Sequence, residues 1–253
     1  MDLHMTGRKA LVTGASQGIG RAIAEEFARE GCHLALCARG SEPLEAVAKE
    51  LRALGHTVYT QAVDVSDENA LTGFVETAAQ ELSGLDIIIS NVSAGSLKGP
   101  DRWKLSFQVD LLPFVRLVES AIPYLEQSDA AAVVVVGTTS AFDTLPPIAD
   151  SYAVLKAAVL RHASGLGHAL APKGIRVNAV SPGPIEFPGG FWDKRRGTQP
   201  EFYESIRARI PVGRLGRADE IARAVTFLAS PAASFCTATN LVVDGGFVSR
   251  VQF

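Results

Sequence analysis

The stretch Ala10-Leu11-Val12-Thr13-Gly14-Ala15-Ser16-Gln17-Gly18-Ile19-Gly20 constrains this chain most. A short apolar run ends in a glycine-rich turn, and a helical pattern follows at once, with Ile19, Ile23 and Phe27 on one face. The order strand, tight turn, helix places backbone N–H groups at a helix N-terminus, where the helix dipole favours an anion such as a dinucleotide pyrophosphate. Glycine is needed there because a Cβ would block the turn or the approach of the phosphates. Gly14, Gly18 and Gly20 form G-x-x-x-G-x-G rather than the commoner G-x-G-x-x-G. The turn residues expected at the cofactor are therefore Gly14, Ser16, Gln17, Gly18, Ile19 and Gly20.

Beyond this unit, strands and helices alternate. Strands are expected at 33–38, 57–63, 85–89, 131–136, 175–180 and 241–243. Helices are expected at 42–54, 67–82, 150–170, 201–209 and 219–229, and a long helical region at 103–125 carries Pro113 as a kink. The stretch 181–200, rich in Pro and Gly, reads as loop, and 184–212 as the substrate loop and lid. Continuously apolar strands alternating with helices imply a doubly wound, mostly parallel seven-stranded sheet covered on both faces. No polar linker divides the 253 residues, so one α/β Rossmann domain over 1–253 is expected.

Composition narrows the function classes. A net charge of −3 gives no basic signature for nucleic acid. No apolar run approaches a membrane span, and the first residues lack a signal-peptide core. Cys32, Cys37 and Cys236 show no metal-site spacing and read as reduced, packed thiols of a cytoplasmic protein. The five histidines lack ligand spacing, so no metal is assigned.

A second constellation is Ser151-Tyr152-Ala153-Val154-Leu155-Lys156. Tyr152 and Lys156 are four apart on a helix and project from one face. A nearby ammonium favours phenolate and lowers the tyrosine pKa from its ordinary value of about 10. Such a tyrosine can exchange a proton with a carbonyl or alcohol oxygen.

The glycine turn together with Tyr152-x-x-x-Lys156 resembles the short-chain dehydrogenase/reductase family, and the resemblance spans nearly the whole chain. Asp64-Val65 resembles the family's adenine-contacting pair, and Ser90-Asn91 the start of its N-N-A-G motif. Ser181-Pro182-Gly183-Pro184-Ile185 resembles the segment beside the nicotinamide, and Val243-Asp244-Gly245-Gly246 the C-terminal V-D-G-G. The resemblance implies an NAD(P)-dependent oxidoreductase, with Tyr152 as proton donor and Lys156 lowering its pKa and binding the nicotinamide ribose. Asn91, Pro182, Gly183 and Ile185 are then also cofactor contacts.

The departures carry information. The family's substrate-orienting serine stands thirteen residues before the tyrosine, which here is Thr139, with Ser140 next. Strand alternation favours Thr139, and Ser140 stays open. The family's helical asparagine is matched by Asp110, which could hold a relay water and pair with Lys156, or be tolerated beside a working backbone carbonyl. Phe187 stands where a threonine contacts the carboxamide. After the second strand, Arg39 replaces the acid that binds the NAD ribose, so NADP(H) is favoured, with NAD(H) the alternative. Lys194-Arg195-Arg196 reads either as solvated surface or as contact for an acyl-carrier phosphopantetheine.

The activity implied is reduction of a ketone, for example a 3-oxoacyl carbonyl, to a secondary alcohol. An NAD-dependent alcohol, dihydrodiol or sugar dehydrogenase is the alternative, and a non-catalytic dinucleotide sensor the third reading. The small residues after Tyr152 and the apolar tail 247–253 suggest a homotetramer or homodimer, with Phe253 buried near a neighbouring subunit.

Overall fold

In the computed structural model, residues 2–144 and 150–249 are described. Seven parallel strands form one sheet: β1 (Lys9–Thr13), β2 (His33–Ala38), β3 (Val58–Ala62), β4 (Ile87–Ser90), β5 (Ala132–Val136), β6 (Arg176–Pro182) and a last strand, β9 (Asn240–Val243). Their spatial order is β3-β2-β1-β4-β5-β6-β9. The order reverses between β1 and β4, and the crevice outside the carboxyl ends of these strands is where α/β sheets bind ligands.

One apolar layer packs α1 (Gly18–Arg29), α2 (Ser41–Arg52) and α9 (Ala218–Ala229) against the first face, through Ile23, Phe27, Leu44 and Val225. The other packs α3 (Glu68–Glu81), α5 (Leu112–Leu125) and α6 (Ser151–Leu170), through Phe74, Phe114, Leu117 and Val159. Val133, Val135 and Val177 face the second layer while Val134, Val136 and Val180 face the first, which is why β5 is apolar at every position.

Two stretches differ from expectation. The region 103–125 is three pieces: a short helix α4 (Arg102–Ser106), a π-turn (Phe107–Leu111), and α5. Pro113 is the second residue of α5 and has no N–H for the Val109 carbonyl four residues back, so the ladder widens there instead of kinking a continuous helix. The stretch 181–200 is only partly loop. Ile185–Glu186 (β7) pairs with Gly216–Arg217 (β8), and Phe191–Thr198 forms helix α7, followed by α8 (Pro200–Arg207). Trp192 stacks on Phe202 at 5.8 Å and stabilises this short helix from outside its own sequence.

A third, smaller apolar cluster joins Tyr203, Ile206, Ile210 and Leu215 to Phe247 and Val248 near the C-terminus. The tail thus docks on its own chain as far as Val248, while the expected site of Phe253 lies outside the described residues. No described helix is long and apolar enough to cross a membrane.

Candidate active site

The glycine turn closes the carboxyl end of β1. Gly14 and Gly18 have φ of 69° and 57°, in the left-handed region that glycine adopts freely. A Cβ on Gly20 would lie 2.2 Å from the Gly14 carbonyl oxygen, so only glycine lets α1 start this close to the strand. Asn91, at the end of β4, donates its amide to the carbonyls of Thr13 (3.1 Å) and Gly14 (3.3 Å), and its backbone N–H to the Thr13 hydroxyl (3.0 Å). Within this chain Asn91 therefore fastens the turn. Ser16, Gln17 and Ile19 surround the start of α1, with Gln17 in extended backbone at its N-cap.

This arrangement fits a dinucleotide: N–H groups at a helix N-terminus, a turn that excludes side chains, and an open switch point. Phe187 stands beside it, since a Cβ on Gly18 would come within 2.7 Å of its ring. Arg39 is exposed at the end of β2 and helps hold the Asp64 carboxyl low, although the larger cause is hydrogen bonding from Ser66. Val65 is buried beside Asp64. Pro182 ends β6, Ile185 begins β7, and Gly183 between them is pressed against Asp244, 2.7 Å from where its Cβ would stand.

Asp150 caps α6 by accepting from the Ala153 N–H at 2.9 Å, which sets Tyr152 in the first turn and Lys156 one turn on. Lys156 is buried; its ammonium donates to the Val136 carbonyl (3.1 Å) and the Val92 carbonyl (3.5 Å) and stands 3.8 Å from Asp110 Oδ1. Asp110 lies in the π-turn, buried, with Oδ1 accepting from the Ala94 N–H at 3.3 Å. Its Oδ2 is buried and makes no hydrogen bond. Burial raises the Asp110 pKa, against the pull of Lys156, and burial lowers that of Lys156, against the pull of Asp110.

Tyr152 lines a cavity of about 370 Å³ together with Ser140, Asp143 and Asp150. Burial pushes its phenol above the ordinary value, with Asp110 and Asp150 adding to the rise and a hydrogen bond with Thr138 opposing it. This is opposite to the lowering expected from Lys156, whose ammonium is held among carbonyls and Asp110.

Thr138 is the hydroxyl that the spacing argument missed. Residues 139–141 form a 3-10 turn rather than continuing β5, so alternation does not decide which side chain faces the tyrosine. Thr138 meets Tyr152, Thr139 is buried, and Ser140 is exposed on the cavity wall. The signal available in the sequence was the adjacency of three hydroxyl residues after a strand.

The basic run is largely engaged with its own neighbours. Arg196 pairs with Glu186 and Asp193, both at 2.7 Å, and Arg195 lies over the rings of Phe191 and Phe202. Burial pushes the thiols of Cys32 and Cys37 up to about 12, consistent with packed, unreactive cysteines. Among the described residues, no group of three His, Cys, Asp or Glu could hold a metal ion.

Comparison with known proteins agrees with this geometry. The family model described as Enoyl-(Acyl carrier protein) reductase matches residues 14–248. Isoepoxydon dehydrogenase patN of Penicillium expansum is 39% identical, the match covering 98% of each chain. A short-chain dehydrogenase from Burkholderia cenocepacia, solved in complex with NADP, superposes with a TM-score of 0.87 at 31% identity, covering 96% of this chain and 98% of that one. A 7 alpha-hydroxysteroid dehydrogenase, solved with NADH and 7-oxo glycochenodeoxycholic acid, superposes with a TM-score of 0.90 at 27% identity, covering 99% and 98%. This chain therefore belongs to the short-chain dehydrogenase/reductase family and is an NAD(P)-dependent oxidoreductase acting between alcohol and carbonyl.

Proposed function

We propose that the enzyme reduces a small ketone to a secondary alcohol, with Tyr152 as proton donor and NADP(H) as the preferred cofactor. The observation that carries this reading is the Tyr152 phenol on the wall of a cavity, one helical turn before the buried Lys156. The phenol is protonated through the neutral range, so the proton is there to donate; the upward shift itself makes it a weaker donor, and its place in the cavity is what supports the role. The dinucleotide, when bound, supplies the hydride. Thr138 orients the phenol, and Thr139 or Ser140 is the further hydroxyl for the substrate oxygen. Lys156, with Asp110 behind it, fixes a positive charge beneath the reacting group.

Arg39 supports the NADP(H) preference, because an exposed guanidinium at the end of β2 can pair with a 2′-phosphate. Gly14, Ser16, Gln17, Gly18, Ile19 and Gly20 then hold the pyrophosphate, Asp64 and Val65 the adenine, and Pro182, Gly183 and Ile185 the nicotinamide end. Engagement of Arg195 and Arg196 argues against an acyl-carrier substrate. We also place the enzyme in the cytoplasm, where three free cysteines persist, as a homo-oligomer, most simply a tetramer.

The test is reduction of a cyclic ketone by wild type and Tyr152→Phe with each cofactor. The expected result is faster wild-type turnover with NADPH than with NADH. Tyr152→Phe should lose roughly 10²–10⁴-fold in rate while still binding NADPH by fluorescence. Wild-type rates in the variant would refute the mechanism.

A further inference from the structure

The cavity at Tyr152 has a chemical character of its own. At about 370 Å³ it is at the small end of ligand pockets, which run from roughly 300 to 1,000 Å³. Besides Tyr152, its wall carries two carboxylates, Asp143 and Asp150, and three hydroxyls, Ser96, Ser140 and Thr144; the remaining described lining is alanine and valine. No Lys, Arg or His is among the described residues that line it. The nearest basic run on the lid has turned elsewhere, with Arg196 on Glu186 and Asp193.

The Asp150 carboxylate is held by the fold, and Asp143 is placed through its backbone. Asp150 accepts from the Ala153 N–H through Oδ1 and from the Ser96 hydroxyl through Oδ2 at 2.8 Å. An ionised carboxylate offers about four lone-pair sites, so two contacts leave it able to accept more. The Asp143 backbone N–H donates to the Thr139 carbonyl at 3.0 Å, which anchors that residue to the turn that also carries Ser140. Acceptors fixed this way suit a substrate that arrives with O–H donors. A carboxylate on the substrate would meet two like charges and no cation to pair with it.

We propose that the substrate is a small, hydroxyl-bearing ketone or its alcohol without a negative charge, and that Asp143 and Asp150 select it by accepting from its hydroxyls and repelling anions. The same two carboxylates would attract a cationic group, so the selection they impose is against anions. The inference rests on Tyr152 marking the reacting end of this cavity.

Four probes of one shape test it: cyclohexanone, 4-hydroxycyclohexanone, 4-oxocyclohexanecarboxylate and 4-aminocyclohexanone, each reduced with NADPH. The expected result is a kcat/KM for the hydroxylated ring roughly tenfold or more above that for the carboxylate. In the double variant Asp143→Asn, Asp150→Asn this ratio should collapse to a few-fold, mainly through KM. Asparagine keeps the helix cap, and thermal melting confirms that the variant folds. Equal or better use of the carboxylate by wild type overturns the inference, as does an amine used no better than the carboxylate, failure to reduce the hydroxylated ring, or a ratio unmoved in the variant. Rates that ignore Tyr152→Phe would instead defeat the catalytic reading. Rates that need Tyr152 but do not follow charge would defeat only the selectivity.

Discussion

In the proposed mechanism, Asp110 and Lys156 set the electrostatics under the reacting group. Both are buried and stand 3.8 Å apart, and one carboxylate oxygen has no hydrogen bond. The negative charge of Asp110 is also one reason the Tyr152 phenol lies above its ordinary range. Removing it leaves phenolate less disfavoured, so the Tyr152 pKa should fall. The expected outcome for Asp110→Asn is an alkaline limb of the reductive kcat/KM profile displaced to lower pH, with the neutral plateau kept. A displacement to higher pH, or none, would show that Asp110 does not act on the phenol. At this scale the sequence was legible where spacing on a helix sufficed, as for Tyr152 and Lys156. It was not legible for Thr138, because a 3-10 turn after β5 redirects side chains in a way strand alternation does not describe. The direction of the tyrosine shift was missed for a related reason: burial raises it and the charges of Asp110 and Asp150 add to the rise, and both are properties of the packed molecule.

Helix α6 carries the site at its start and packs through its far end. A Cβ at Gly167 would fall 2.6 Å from the Ala238 backbone nitrogen, whereas one at Gly165 would meet only the tip of Arg161 at 3.5 Å. Gly167→Ala should therefore destabilise the fold by about 1–3 kcal/mol, as overpacking against backbone does. Gly165→Ala should leave stability unchanged or raise it by about 0.4–1 kcal/mol. Urea titrations of the two variants check this, and equal effects would mean the backbone at Ala238 yields freely. The alternation of strands and helices was readable because each repeats a strong local pattern. Two elements were not. The π-turn depends on what the chain does with one carbonyl left without a donor by Pro113. Helix α7, six of whose eight residues are polar, charged or glycine, is stabilised by Trp192 on Phe202, a contact with the next helix.

On the whole molecule, Trp103, Leu105 and Phe107 leave large apolar side chains at 43–44% exposure, with Val154 at 50% on α6, against which α4 packs. Such a grouping suits association with another copy. Light scattering of the wild type should give a mass of two or four chains, and Leu105→Asp should lower it; a wild-type mass near one chain would refute the assembly. The small cluster around Tyr203, Ile206 and Phe247 is separate from the two layers that cover the sheet. That separation bears on how such a protein changes over generations. On the reading of 184–212 as the substrate loop, substitutions between Phe191 and Leu215 would alter what the enzyme accepts while leaving the two layers on the sheet untouched. Lys156 has no such freedom, because its neighbours belong to the loop after β4, to β5 and to the π-turn. Descendants of this chain can therefore drift toward new substrates through the lid and the cavity wall, with their chemistry pinned in place by the same contacts that keep them folded.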